Sequence, residues 1–161
     1  MVLIEMFIKG LIIDPVTNMP IVILRDDDGQ RALPIWVGPV EANAIALQIE
    51  NVEPPRPMTH DLLRNVLQDM GGTLKRVIIS DLKEGTFYAY LEIERAGETL
   101  FFDARPSDAL ALSMRTKAPV FVDVKVLDQA RTVDLTTDEA DRERLQRWLE
   151  SLDPDDLGYK M

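Results

Sequence analysis

Residues 38–50 read GPVEANAIALQIE, and residues 105–117 read RPSDALALSMRTK. Each phrase follows a short apolar run, and each carries proline second, an acid fourth and alanine fifth and seventh. Proline at a first helical position gives up no hydrogen bond and presets the helical dihedral, so both phrases predict a helix start. Glu41 and Asp108 then fall near the third helical position. A carboxylate there can accept from free backbone N–H groups and complement the positive end of the helix dipole. The small residues Ala42, Ala44 and Ala46, and Ala109, Ala111 and Ser113, allow each helix to lie close against a sheet or against its twin.

Outward from the phrases, the preceding segments repeat as well. VLIEMFIKGLIID (2–14), MPIVILRD (19–26) and RALPIWV (31–37) read as strands, punctuated by Pro15, Asn18 and the turn DDDG. TLKRVIISDL (73–82), TFYAYLEIER (86–95) and ETLFFDA (98–104) do the same before the second phrase. Sliding the chain by 67 positions, which sets Gly38 on Arg105, matches Asp14 with Asp81, Leu33 with Leu100, Pro39 with Pro106, Ala42 with Ala109 and Ala44 with Ala111. Turns, strands and helix starts stay in step. This order predicts a duplicated β-β-β-α unit, about 2–50 and 73–117, and an α+β fold whose mixed or antiparallel sheet carries packed helices.

Between the halves, NVEPPRP (51–57) has too many prolines for regular structure. Thr59 is placed to cap a helix over HDLLRNVLQDM, and Gly71 and Gly72 to end it. After the second phrase, APVFVDVKVL (118–127) reads as one more strand. TTDEADRERLQRWLESL (136–152) reads as a terminal helix, with Thr136 and Glu139 spaced as a capping box and Leu145, Trp148, Leu149 and Leu152 as its apolar stripe. The expected organisation is one domain over 1–130 and an acidic helix and tail over 131–161.

At 161 residues, 46% hydrophobic and 29% charged, the chain has ordinary globular composition. It has no cysteine, which excludes disulfides, cysteine-ligated zinc and thiol nucleophiles; one histidine excludes a multi-histidine metal site within one chain. The start lacks the basic region of a signal peptide, and no apolar run approaches the roughly 18 residues that span a bilayer, so a cytoplasmic protein is expected. Eighteen basic against 28 acidic residues give a formal charge of −10, which weakens electrostatic capture of nucleic acid without excluding it.

His60 is the one imidazole, able to move protons near neutral pH, and it shares a helix face with Arg64. Together at a helix start they suit a phosphate, although Asp61 beside them would repel one unless a divalent metal intervened. Asp61 is equally a plain helix starter. Arg105 can contact phosphate or pair with Asp103 or Asp108. Asn43 lies among apolar neighbours and needs a partner, either backbone or ligand. Glu41 and Asp108 either cap their helices or face a shared cleft as paired carboxylates. The DDDG run lacks the spaced ligands of a calcium loop and reads as a hairpin turn, and Asp14 and Asp81 read as strand-end residues. No P-loop, dinucleotide fingerprint or nucleophile elbow is present.

LPIWVGPVEANAIAL, followed by RPMTHDLL and FDARPSDALALSMRTKAPVFV, resembles the bifunctional nuclease (BFN) domain family over roughly residues 1–130. The resemblance implies a compact α/β domain, DNase and RNase activity in some members, and a tendency to homodimers. Plant members carry an additional C-terminal segment that the tail here does not match. The corresponding expectation is a hydrolase of DNA or RNA phosphodiester bonds assisted by Mg²⁺ or Mn²⁺. In it His60 transfers protons with Glu41, Asp61 and Asp108 in the catalytic set. Glu41, Asp61 and Asp108 are its candidate metal ligands, and Arg64, Arg105 and Asn43 its substrate contacts. The alternative is a non-enzymatic ligand-binding or regulatory module.

Overall fold

The structure, a computed structural model, describes residues 1–130 of the chain. Strands β1 (Leu3–Ile13), β2 (Pro20–Asp26) and β3 (Ala32–Trp36) lead into helix α1 (Pro39–Ile49). Helix α2 (Thr59–Asp69) connects to β4 (Gly72–Lys83), β5 (Thr86–Arg95) and β6 (Glu98–Ala104), which lead into α3 (Pro106–Thr116). Strand β7 (Val120–Asp123) and helix α4 (Val124–Gln129) complete the described chain. The architecture is α+β, as its sequence pattern predicts.

The seven strands form one mixed sheet in the order β3-β2-β1-β7-β4-β5-β6. Neighbours are antiparallel except β4 and β7, which run parallel with Val77 opposite Val120. Each half therefore contributes a three-strand meander, and β7 joins them. The hairpin ends carry the left-handed residues that tight turns demand: Glu84 and Gly85 between β4 and β5, and Ala96 and Gly97 between β5 and β6. Both halves show three strands followed by a helix; descent from one duplicated unit stays a proposal from the sequence offset. The first strand is bent, with a register shift between Ile8 and Gly10.

The helices cover one face of the sheet. Ala42, Ala46, Ala109 and Ala111 are buried there, and they let α1 and α3 pack on each other and on the strands. Val22, Leu24, Leu33, Val77 and Ile79 supply the sheet side of this core.

Two boundaries differ from expectation. The strand expected over 118–127 ends at Asp123, whose side chain accepts a hydrogen bond from the Lys125 N–H at 3.0 Å and so caps α4. The alternating valines fit either structure, and the cap decides. Helix α2 has Met58, not Thr59, at its N-cap, because the Asp61 carboxylate accepts the Met58 N–H at 3.0 Å. The helix expected over 136–152 and the domain limit at 130 lie at or outside the described residues.

Leu110 is fully buried at the centre of α3, whereas Phe101 stands exposed on the edge strand β6. Leu110→Ala is expected to cost about 2–5 kcal/mol, the range for a leucine-to-alanine cavity. Phe101→Ala should cost less, about 0.5–1.5 kcal/mol, through loss of its edge-to-face contact with Tyr90. Urea unfolding of the two variants beside the parent measures both.

Candidate functional site

Three helix starts meet at one place. The first turns of α1, α2 and α3 enclose a cleft of about 130 Å³ whose lining includes Glu41, Asn43, Met58, His60, Arg105, Asp108 and Arg115. The helices arrive there because α1 and α3 both begin at proline just beyond a strand, and α2 is drawn onto them from the proline-rich segment.

Within the cleft the polar groups form a chain. His60 Nε2 lies 2.9 Å from Asp108 Oδ1, and Arg105 Nε donates to Asp108 Oδ2 at 2.9 Å. The same guanidinium reaches Glu41 Oε1 through a terminal nitrogen at 2.8 Å. Burial alone would raise the Asp108 carboxyl; hydrogen bonds from His60 and Arg105 outweigh it and hold the group below its ordinary value. The ionised Asp108 is an acceptor only, so the His60 nitrogen facing it carries the proton and Nδ1 is left for other chemistry. Asp108 and Glu41 together raise Arg105 further above its ordinary value.

Glu41 reaches across the cleft to Arg105, while Asp108 holds both His60 across the cleft and Arg105 at the start of its own helix; no bond from either carboxylate to a backbone N–H is found among the described residues. Of the two readings of these acids, helix caps or carboxylates facing a shared cleft, both line the cleft, and an arginine between two carboxylates outcompetes neutral backbone donors. Gly38 makes the lean of Glu41 possible. A Cβ there would stand 2.6 Å from Glu41 Oε2, and the backbone at Gly38 is otherwise ordinary extended chain.

Asp61 does what was expected of a helix starter and something more. Its carboxylate accepts the Met58 N–H and takes Arg115 Nε at 2.6 Å. Burial works to raise this carboxyl as well, and the Met58 N–H and Arg115 overcome it, leaving it below the ordinary value. Arg115 spends its other donors on the carbonyls of Ala111 at 2.8 Å and Ala44 at 3.0 Å. One buried side chain therefore ties α1, α2 and α3 together. Arg115 escaped the sequence reading, although it stands seven residues after Asp108 and so on the same helix face.

Asn43 is 3% exposed and lines the cleft, and no side-chain hydrogen bond to it is found among the described residues. Of its two expected partners, backbone or ligand, the backbone is not used. Arg64 is outside the cleft: its guanidinium folds onto Asn65 Oδ1 at 3.1 and 3.0 Å.

The expected metal set of Glu41, Asp61 and Asp108 does not assemble. Among the described residues no three acidic or histidine side chains form a group able to hold a metal ion. Asp61 is committed to Arg115, and Arg105 stands between the other two acids, where a divalent cation would meet a fixed positive charge. This donor set does not fit Mg²⁺ or Mn²⁺.

The bifunctional nuclease domain model matches residues 22–134. An uncharacterized protein of Mycobacterium tuberculosis is 42% identical over 95% of this chain and 97% of its own length. Bifunctional nuclease 2 of Oryza sativa subsp. japonica is 32% identical over 64% of this chain and 33% of its own. Bifunctional nuclease 1 of Oryza sativa subsp. indica is 26% identical over 70% of this chain and 35% of its own. This chain thus spans about a third of each plant protein.

Asp61→Asn removes the charge facing buried Arg115 and is expected to destabilise the fold by about 3–5 kcal/mol at neutral pH. A depressed native pKa stabilises above the unfolded value, about 3.9, and that contribution is lost as pH falls through the native one. The gap between parent and variant should therefore be full at pH 7 and close progressively below pH about 4. Urea unfolding across that range measures it.

Proposed function

The chain belongs to the bifunctional nuclease domain family, and from that membership and the cleft geometry we propose that it hydrolyses phosphodiester bonds of DNA or RNA. The observation that carries the reading is the 2.9 Å pair of His60 Nε2 with Asp108, formed between α2 and α3 at the rim of a cleft. A carboxylate that holds one ring nitrogen leaves the other as a proton acceptor of defined orientation, the arrangement used in general base catalysis.

In this reading the cleft of about 130 Å³ receives the phosphate beside Arg105. Nδ1 of His60 takes a proton from water as its oxygen attacks phosphorus. The P–O ester bond breaks, and the departing alkoxide recovers a proton from the imidazolium. One phosphodiester and one water give a phosphomonoester and an alcohol. Arg105, fixed by two carboxylates, turns its remaining N–H groups to the phosphate oxygens, and Asn43 donates to one of them. Glu41 and Asp61 act through arginines, Glu41 by aiming Arg105 and Asp61 by anchoring Arg115. The steps use no metal because the acids are committed to arginines.

The reading includes a cytoplasmic homodimer. No helix of the described residues is long and apolar enough to cross a membrane. Leu63, Val66, Met70 and Phe102 line an apolar groove between α2 and β6 that offers a second copy surface.

A second reading, a non-enzymatic binding module, is favoured by one observation: Arg105 is already countered by Glu41 and Asp108, which weakens its pull on an anion. Nuclease assay of extensively purified protein separates the two. His60→Gln and Asp108→Asn should each lower the rate by about 10²–10⁴-fold, the usual contribution of a proton-transfer group, with the fold retained. EDTA should leave the parent rate unchanged. Activity that EDTA abolishes and Mg²⁺ or Mn²⁺ restores overturns the metal-free arrangement; activity that purification removes from the parent overturns the nuclease reading.

A further inference from the structure

A second concavity, of about 550 Å³, opens over β4, β5 and β6. Alternation along β5 sends Ala89 and Leu91 into the core and turns Tyr88 and Tyr90 to the opposite face of the sheet. Asp103 on β6 pairs with Tyr90, so Asp103 and Phe101, two residues before it, share that face. Phe101 meets Tyr90 edge to face at 5.7 Å and 76°, which orients its ring while leaving it 61% exposed. The charges at the far end are engaged with one another. Asp81 holds Lys83 at 3.5 Å and Lys125 at 3.8 Å, and the Lys83 ammonium lies 5.4 Å from the centre of the Tyr88 ring. Asp103 is different: it is exposed, and no hydrogen bond or ion pair to it is found among the described residues. The concavity is also continuous with the cleft. Asp103 stands two residues before Arg105, about 7 Å along an extended chain, and β6 is an outer strand of the sheet. A ligand held at Arg105 can pass around that edge onto this face with no further strand in its way.

We propose that this concavity is a nucleobase subsite. It takes an unpaired base of a single strand whose phosphate lies in the cleft, with Phe101 as the stacking face and Asp103 accepting the exocyclic amino group of the base. The proposal rests on the phosphodiester reading of the cleft. An unpaired carboxylate repels a phosphate, so the base and not the backbone occupies this face. The same carboxylate accepts from the amino group of cytosine or adenine, whereas uracil and thymine carry no exocyclic amino group. The formal charge of −10, and an Arg105 already countered by Glu41 and Asp108, leave little electrostatic pull on a strand. Stacking on an aromatic ring supplies affinity that charge does not, and only an unpaired base offers its face.

Fluorescence anisotropy of short end-labelled oligonucleotides tests this on the full chain, carried in a His60→Gln background so that the strand survives the measurement. Oligodeoxycytidylate is expected to bind about 5-fold or more tightly than oligodeoxyuridylate, the discrimination of one base-edge contact. Asp103→Asn, whose amide can turn to donate, should erase that gap. Phe101→Leu keeps apolar bulk and loses the ring face, and should weaken oligodeoxycytidylate binding by about 5–150-fold, while Phe101→Trp retains it. Equal binding of the two oligomers, or no binding of either, overturns the proposal, as does unchanged affinity in Phe101→Leu. Deoxycytidine monophosphate competing as well as the oligomer overturns it too, by making this a mononucleotide site, and so does a duplex that binds as tightly as the single strand. Cleavage by chains with His60 intact separates this proposal from the nuclease reading. Binding that follows Phe101 and Asp103 in a protein that cuts no strand keeps the subsite and sinks the nuclease reading. Single strands cut at the parent rate by Phe101→Leu, with parental affinity, sink the subsite and leave the nuclease reading in place.

Discussion

A guanidinium buried between three helices is the constraint on which the cleft depends. Arg115 cannot be hydrated where it sits, so each donor it uses must meet an acceptor, and those acceptors come from α1, α2 and α3. A buried ion pair of this kind adds little net stability compared with apolar packing. What it contributes is placement. Helix α2 presents Leu62, Leu63 and Val66 to solvent and anchors in the core chiefly through Leu67, so its apolar contacts alone hold its first turn loosely. The bond from Asp61 to Arg115 fixes that turn, and His60, the adjacent residue, is thereby held against Asp108.

The second constraint is electrostatic. Two helices that begin alike bring Glu41 and Asp108 to the same cleft, and two carboxylates there would repel at short range. The two phrases differ at their first position in a way that resolves this. Arg105 supplies the cation that holds both acids, and Gly38 supplies the empty space into which Glu41 leans. A pattern written twice becomes a site through positions at which its copies differ, Gly38 against Arg105 first among them.

The fold was legible because its signals are local. Proline at a helix start, alternation along a strand and glycine after a tight turn act within a few residues, and they mark every element from β1 to α3. The valines at 120, 122, 124 and 126 satisfied a strand and a helix alike, and only the Asp123 cap separates β7 from α4. The site was legible in composition and not in connection. His60, Asp108, Arg105, Glu41 and Asn43 were all named beforehand, and all five line the cleft. The pairing of Arg105 with Asp108, three residues apart, was within reach of the sequence, whereas His60 reaches 48 residues to Asp108, and Arg115 reaches 54 to Asp61 and 71 to Ala44. Arg64 shows the same limit from the other side, since helical spacing predicts a shared face and not the direction a long side chain takes.

Strand β7 is four residues long and is the last of the described strands to leave the ribosome, yet it occupies the middle of the sheet between β1 and β4. The two meanders can each form from neighbouring hairpins, which are quick to close. Until Val120 to Asp123 arrive, however, the inner edges of β1 and β4 have no strand between them, and unpaired edges invite pairing with other chains. Contacts such as Leu3 with Asp123 join the start of the chain to the end of the described region. Sheet closure therefore waits until the chain has passed Asp123, and a product truncated before Val120 would be left with two open inner edges prone to aggregation.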